Sequence, residues 1–183
     1  TEHNIPGGVY PVPTLAMLRL QMYSNLVYGA QGLQYFTYWR PRNNDTWDFR
    51  HGPIGLDGKR TEVYDLVKEM NEEINRISGV FLGAKVLSVR HTGTTIPRKT
   101  RRLTVLPDKV RALDTHGAGA IVSVLENQGN KFIAIVNRNY KHTMQLTFVA
   151  DKSVKRVLKD GSIVPANSYT STLTVLPGDI VLF

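Results

Sequence analysis

Aromatic side chains are concentrated in one short stretch of the chain, GAQGLQYFTYW, which runs from residue 29 to Trp39. A long polar loop, residues 40–59, follows directly and adds a second tryptophan, Trp47. Its other polar side chains include Asn43, Asn44, Asp45, Asp48, Arg50 and His51. Loops of this composition are usually plain surface, yet one of this length inside a compact domain is uncommon unless it has a function. The aromatic stretch and this loop are therefore the first candidates for a functional surface.

Metal, nucleophile and phosphate chemistry have no matching pattern in the sequence. The five histidines are scattered along the chain: His3, His51, His91, His116 and His142. None is spaced with carboxylates as metal ligands are, and neither a Ser/His/Asp arrangement nor a phosphate-binding glycine loop is present. The lack of cysteine excludes disulfides, thiolate zinc sites and a cysteine nucleophile. We therefore expect no metal and no cofactor.

Two amphipathic helices are predicted on either side of the aromatic stretch. The first begins after Thr14, a predicted N-cap, and ends near Gly29; the second begins after Thr61 and ends near Gly79. Their apolar stripes are Leu15, Leu18, Met22 and Leu26, and then Val63, Leu66, Val67, Met70, Ile74 and Ile77. Residues 33–39 are rich in strand formers and nearly free of charge, which predicts a parallel strand buried on both faces.

After about residue 80 the helical period gives way to alternation of apolar and polar residues. Residues 120–127 and 131–139 predict a hairpin with its turn at Gly129, and alternation around residue 148 places Phe148 inside. Further turns are predicted at Asp160-Gly161 and at 177–179. This half predicts an antiparallel β-sandwich over residues 81–183.

The charge of the chain is divided unevenly between these halves. Residues 1–80 carry 8 basic and 9 acidic side chains, whereas residues 81–183 carry 15 and 6, so the excess of +8 arises in the second half. Its densest cluster, residues 98–102, has no aromatic residue to stack on bases, and we expect no nucleic-acid partner. No apolar run approaches the roughly 20 residues of a membrane helix, and the N-terminus has no signal-peptide pattern, so we expect no membrane segment. The sequence does not mark a compartment.

The order of helix, parallel strand, loop and helix is incomplete as a fold. A parallel strand needs parallel neighbours, and the chain offers at most one other candidate strand before Thr14. Such a unit matches the last repeat of an eight-fold β/α barrel, which needs about 200 residues or more by itself. The predicted fold class is therefore α/β plus all-β. Residues 1–80 form the C-terminal segment of a TIM-type barrel, and residues 81–183 form the sandwich.

Several stretches together resemble the end of a β-galactosidase-type glycoside hydrolase. They are YGAQGLQYFTYW at 28–39, the long loop, the GKRT helix start at 58–61, and a C-terminal β-domain that ends in PGD at 177–179. The resemblance extends from about residue 9 to 80 and, more loosely, over 81–183. It implies a retaining glycosidase with two barrel carboxylates, an acid/base on strand four and a nucleophile on strand seven. The expected partners are a carbohydrate substrate and the remainder of the barrel, and a periplasmic or extracellular parent is favoured.

The resemblance also implies roles for individual side chains. Trp39, at the mouth of the eighth barrel strand, would stack on a sugar, with Tyr38 beside it and Trp47 contributing from the loop. Glu2 precedes the first helix by about the distance expected of the nucleophile, and His3 and Asn4 would line the same mouth. The default alternative for Glu2 is a solvated loop glutamate. The alternative for the aromatic side chains is that they fill the space between barrel and helices; it applies to Trp39, Tyr35, Phe36 and Tyr38, and it is the preferred interpretation for Phe36 and Tyr35.

Two functions of different classes follow from the sequence. In the first, the chain is the C-terminal fragment of a retaining glycoside hydrolase that acts on a β-linked sugar, and it is inactive alone because the acid/base lies outside it. In the second, it is a non-catalytic carbohydrate-binding or structural module. The two differ in the surface of the aromatic stretch, which a fragment would leave exposed and a self-sufficient module would cover.

Overall fold

The computed structural model of the chain describes residues 2–5, 8–166 and 172–183, with the backbone alone at 2–5 and 8–10. The helices are α1 (Leu15–Val27), α2 (Glu62–Arg76) and α3 (Ser78–Phe81). The strands are β1 (Glu2–Ile5), β2 (Gly8–Tyr10), β3 (Asp48–Arg50), β4 (Lys85–His91), β5 (Val110–Asp114), β6 (Ala120–Asn127), β7 (Asn130–Asn137), β8 (Met144–Ala150), β9 (Lys155–Val157), β10 (Ile163–Pro165), β11 (Thr172–Val175) and β12 (Ile180–Leu182).

A six-stranded sheet, in the order β10-β9-β12-β7-β6-β4, forms the middle layer. One face packs against α1, α2 and α3, and the other packs against the three-stranded sheet β11-β8-β5. Successive side chains of a strand point to opposite faces, so Ile121 and Leu125 of β6 join the helices while Val122 joins the small sheet. A third sheet, β2-β1-β3, carries the loop that contains Trp47.

The helices begin where the sequence predicts, and the reason is local. The hydroxyl of Thr14 accepts a hydrogen bond from the backbone N–H of Met17 at 3.3 Å, and that of Thr61 accepts one from Val63 at 3.2 Å. Each bond satisfies a donor that the first turn of a helix leaves unpaired. The N-caps predicted at both threonines are confirmed.

The predicted barrel unit is wrong. The described residues form mostly antiparallel sheet with short helices, and they contain no closed barrel. Residues 33–39 are not a strand, and their pairing is limited to one isolated bridge between Trp39 and Ile54. The physical reason is that a buried strand must pair its N–H and C=O groups along both edges, and within the described residues this segment has no strand beside it to pair with. Its aromatic composition therefore produces an exposed, irregular segment.

In the second half, β6 and β7 form the predicted hairpin, joined at Gln128 and Gly129. Phe148 is buried as predicted, and its ring stacks on that of Phe183 with centroids 3.7 Å apart. None of the helices in the described part of the chain has the length and apolar character needed to span a bilayer.

Candidate functional site

The exposed aromatic segment begins just beyond the end of α1. Phe36, Tyr38 and Trp39 expose 72%, 65% and 55% of their surface, whereas Tyr35 is partly buried and donates a hydrogen bond to Asn71 at 2.9 Å. Three exposed aromatic side chains within four residues make this segment a candidate site of interaction. The neighbouring backbone is held in place because the N–H of Ile54 donates to the carbonyl of Tyr38 at 3.0 Å.

A cavity of about 900 Å³ opens between α1, α2, this segment and the following loop. Trp47 and Phe36 line it, together with Phe49, whose ring lies 6.2 Å from that of Trp47. The remaining lining is formed by Pro11, Pro13, Met17, Leu18, Gln21, Met22, Gln34, Tyr35, Thr37, Pro53, Val63 and Val67. None of these described residues carries a charge. The cavity therefore suits an uncharged ligand with apolar faces.

The loop positions Trp47 through a turn built on asparagine side chains. The side-chain oxygen of Asn44 accepts from the backbone N–H groups of Thr46 and Trp47 at 2.9 and 2.8 Å. That of Asn43 accepts from the N–H of Phe49 at 2.8 Å. The turn at Asn44 is typical of asparagine, whose short side chain reaches the backbone two or three residues on, whereas Asn43 bonds across the loop to a residue six positions on. Asn44 and Asn43 are thus engaged in building the loop.

Trp39 and Tyr38 are not among the residues that line the cavity. The Trp39 ring lies over Gly58, where an added Cβ would come within 3.8 Å of ring atom Cη2. The aromatic residues predicted as one sugar-binding set are therefore divided, with Trp47 in the cavity and the other two on the adjoining surface. Phe36 and Phe49 take the places beside Trp47. The polar-apolar-polar order of residues 48–50 is the sequence signal that could have identified Phe49.

A second, polar cleft of about 490 Å³ adjoins the loop. It is lined by Arg40, Asn43, Asp48, Arg50, His51, Gly52, Gly55 and Thr61. The hydrogen bond from Arg50, 2.8 Å from Nε to the carboxylate, lowers the pKa of Asp48, and Asn43 adds a further donor. A carboxylate held in this way stays ionised and is a poor proton donor. Asp48 is therefore suited to orienting a ligand hydroxyl and unsuited to acting as a general acid.

Glu2, His3 and Asn4 lie on β1, which is the middle strand of its sheet. The register places Glu2 opposite Arg50, His3 opposite Phe49 and Asn4 opposite Asp48. The backbone of β1 thus runs beside the strand that contributes to both the cavity and the cleft. The catalytic role of Glu2 and the lining roles of His3 and Asn4 stay predictions.

A buried charged cluster joins α1, α2 and the C-terminal strands, and the sequence patterns did not predict it. Glu73 is 6% exposed and accepts hydrogen bonds from Arg19 Nε at 3.1 Å and the Tyr23 hydroxyl at 2.8 Å. Lys159 lies 3.3 Å from the same carboxylate and also pairs with Asp179. Burial acts to raise the pKa of Glu73, but the bond from Arg19 and the charge of Lys159 outweigh it and lower that pKa to about 2. The cluster is structural, because every charge in it is paired.

The histidines of the described residues form no metal-binding cluster with Asp or Glu. His91 is buried, and its Nε2 lies 2.8 Å from the Tyr28 hydroxyl. Burial lowers the pKa of His91, and the nearby charge of Arg138 adds to this effect.

Comparison of the chain with protein-family models, curated proteins and solved structures found no match. The resemblance to β-galactosidase-type hydrolases is therefore carried by the quoted stretches alone.

Proposed function

We propose that the chain is a C-terminal portion of a retaining glycoside hydrolase that acts on a β-linked sugar. In this function it contributes aromatic and polar contacts to the carbohydrate, and the acid/base carboxylate is supplied from outside these residues. The observation that carries the proposal is the row of exposed aromatic rings beside an uncharged cavity of about 900 Å³. Sugar rings have apolar faces that stack on such side chains and hydroxyls that bond to amides and carboxylates.

Two carboxylates of the described residues, Asp48 beside the cavity and Glu73 in the charged cluster, can be assessed as the catalytic acid. A retaining glycosidase needs one carboxylic acid that is protonated near neutral pH and a second, ionised carboxylate about 5 Å away. Asp48 has a lowered pKa because of Arg50, and Glu73 is buried among Arg19, Tyr23 and Lys159. Neither group fits the role of the acid. The chain alone is therefore expected to bind sugar without cleaving it.

A non-catalytic carbohydrate-binding or structural module is the second candidate. It is favoured by the continuous core that the helices share with the six-stranded sheet, including Tyr23 and Val27 of α1, Met70 of α2 and Leu125 of β6. A shared core of this kind allows a domain to fold by itself. This candidate needs neither a nucleophile nor an acid.

The binding contribution of each tryptophan can be measured separately, because Trp39 and Trp47 are the two tryptophans of the chain. We expect a neutral β-linked tetrasaccharide, such as cellotetraose or β-1,4-galactotetraose, to change the fluorescence of the wild-type chain. Trp47→Ala should weaken binding at least about fivefold, since a stacked aromatic contributes roughly 1 kcal/mol beyond its buried area. Fluorescence titration of wild type and of each single-tryptophan variant gives the dissociation constants.

Tyr140→Ala is the matched control, because it removes an exposed aromatic residue from the segment after β7. It should leave the dissociation constant within about twofold of the wild-type value, and an equal loss in this variant would contradict a specific site. A panel of 4-nitrophenyl glycosides tests catalysis on the same samples. Hydrolysis by the chain alone would overturn the proposed division of roles and direct attention to Glu2 with Asp45, Asp48 or Asp57.

The two candidates differ in what covers the aromatic surface. If a further part of a hydrolase covers it, the chain alone should associate with itself as its concentration rises, and Phe36→Ser should weaken that association. If the chain is a self-sufficient module, it should stay monomeric over the same range. Sedimentation equilibrium on wild type and Phe36→Ser distinguishes these outcomes.

A further inference from the structure

A strongly basic loop on the opposite half of the chain has no role in the proposed sugar contacts. Residues 86–107 contain no aspartate or glutamate, and they include Arg90, Arg98, Lys99, Arg101 and Arg102. Within the described ranges, no carboxylate forms an ion pair with any of these five side chains. Concentrated positive charge without an internal partner attracts an anionic one.

Residues 92–102, which we call the basic loop, are braced by two arginine side chains that donate to the backbone of the loop itself. Arg102 donates to the carbonyls of Gly93 and Thr94, the latter at 3.2 Å. Arg138 donates to the carbonyls of Thr92 and Thr95 at 3.4 and 2.7 Å. Four successive backbone acceptors are therefore satisfied by guanidinium groups. These hydrogen bonds order the loop without a ligand. Binding therefore does not have to include the entropy cost of ordering the loop.

The tip of the basic loop presents the remaining cations to solvent. The N–H and the hydroxyl of Thr100 both donate to the carbonyl of Pro97, at 3.2 and 2.6 Å, which closes a tight turn. Arg98 and Lys99 are the central residues of that turn and are exposed, as is Arg101 just after it. Three cations are thus displayed within four residues of chain on a rigid support.

The chemistry of the loop distinguishes between classes of polyanion. Residues 86–107 contain no Phe, Trp or Tyr, and His91 is buried, so stacking on nucleobases is not available there. The loop also presents no helix that could enter a DNA groove. Guanidinium groups bind carboxylate and sulfate oxygens in pairs, and such groups recur along acidic sugar chains. We propose that the basic loop docks an anionic polysaccharide, a sugar chain that carries sulfate or carboxylate groups, at a site separate from the aromatic cavity.

The test compares two triple variants that remove the same charge. One is Arg98→Ala/Lys99→Ala/Arg101→Ala, which spares Arg102 and Arg138, the two arginines that donate to the loop backbone. The control is Lys131→Ala/Lys141→Ala/Lys152→Ala, which removes three exposed lysines elsewhere. With a heparin-derived octasaccharide as probe, the first variant should bind at least tenfold more weakly, and the control should stay within about twofold. The dependence of log Kd on log salt should fall in slope by about 2 in the first variant, because about three ion contacts are lost.

Several results would overturn this inference. Equal losses of affinity for the octasaccharide in the two triple variants would show that binding depends on the net charge of the chain and not on the basic loop. Tighter binding of a DNA oligonucleotide, or of vesicles rich in phosphatidylserine, at matched charge would assign the loop to a different partner. Backbone amide shifts of the wild-type chain during titration provide a readout that needs no variant. They should move at residues 92–102, and shifts confined to other residues would contradict the assignment.

Discussion

Replacing Glu73 with glutamine is expected to lower the free energy of unfolding by about 3 kcal/mol, since removing one partner of a buried ion pair leaves the opposite charge uncompensated. Arg19 and Lys159 both face this carboxylate, and Tyr23 donates its hydroxyl to it. The variant keeps the size of the side chain, so the loss reports on charge and hydrogen bonding. Urea denaturation followed by circular dichroism measures it.

Glu69→Gln is the matched control on the same helix. Glu69 lies one turn earlier, 3.9 Å from the same Arg19, but its side chain is 54% exposed. Exposed ion pairs contribute about 0 to 1 kcal/mol because water and salt screen them. If Glu69→Gln lowered the free energy of unfolding as much as Glu73→Gln, burial of the cluster would not be the reason for its contribution to stability.

The same cluster predicts how stability depends on pH. The pKa of Glu73 is about 2 in the folded chain, against an ordinary value of 4.5, so its ionised form stabilises the fold fully above pH 4.5. That contribution is lost as the pH falls from 4.5 towards 2. The wild-type chain should therefore lose more stability over this interval than Glu73→Gln, which has no proton to gain at this position. If the free energy of unfolding changed equally with pH in the two proteins, this would contradict a lowered pKa at Glu73.

Signals that act over a few residues predicted the structure well. The cap at Thr14 depends on a side chain and a backbone N–H three residues apart, and the β6–β7 hairpin depends on alternation around Gly129. Neither needs a distant part of the chain. The prediction of a strand at residues 33–39 was wrong because strand composition does not reveal whether a neighbouring strand exists to pair with it.

The membership of the candidate site was predictable only in part, because Phe36 and Phe49 line the cavity whereas Tyr38 and Trp39 do not. Trp47 was identified in the loop and lies in the cavity, but its separation from Trp39 depends on how residues 33–39 run past Ile54. The charged cluster left one trace in the sequence, because Glu73 stands between Met70 and Ile77 at helical spacing within an apolar stripe. Lys159, which is 86 residues away, could not be assigned to it from that spacing.

Gly178→Ala is expected to lower the free energy of unfolding by about 3 kcal/mol, which combines backbone strain with a steric clash. Gly178 lies in the turn between β11 and β12, has a φ of 68°, and donates its N–H to the carbonyl of Asn139 at 2.8 Å. A Cβ at this position would overlap the carbonyl oxygen of Ala16 and approach the N of Leu20 to 3.0 Å. Both atoms belong to the backbone of α1, so no side chain can move aside.

Gly129→Ala separates these two costs. Gly129 has a similar φ of 77°, but no atom lies within 4 Å of an added Cβ. This variant should lose only the roughly 1 kcal/mol of strain that a non-glycine residue incurs in a left-handed conformation. Thermal and urea unfolding of both variants measure the difference, and equal losses of stability would refute the contact between the turn and α1.

The contact between the turn and α1 also affects the buried cluster, because the neighbouring Asp179 pairs with Lys159 there. Displacing the turn from α1 should therefore also disturb the ion pair between Asp179 and Lys159.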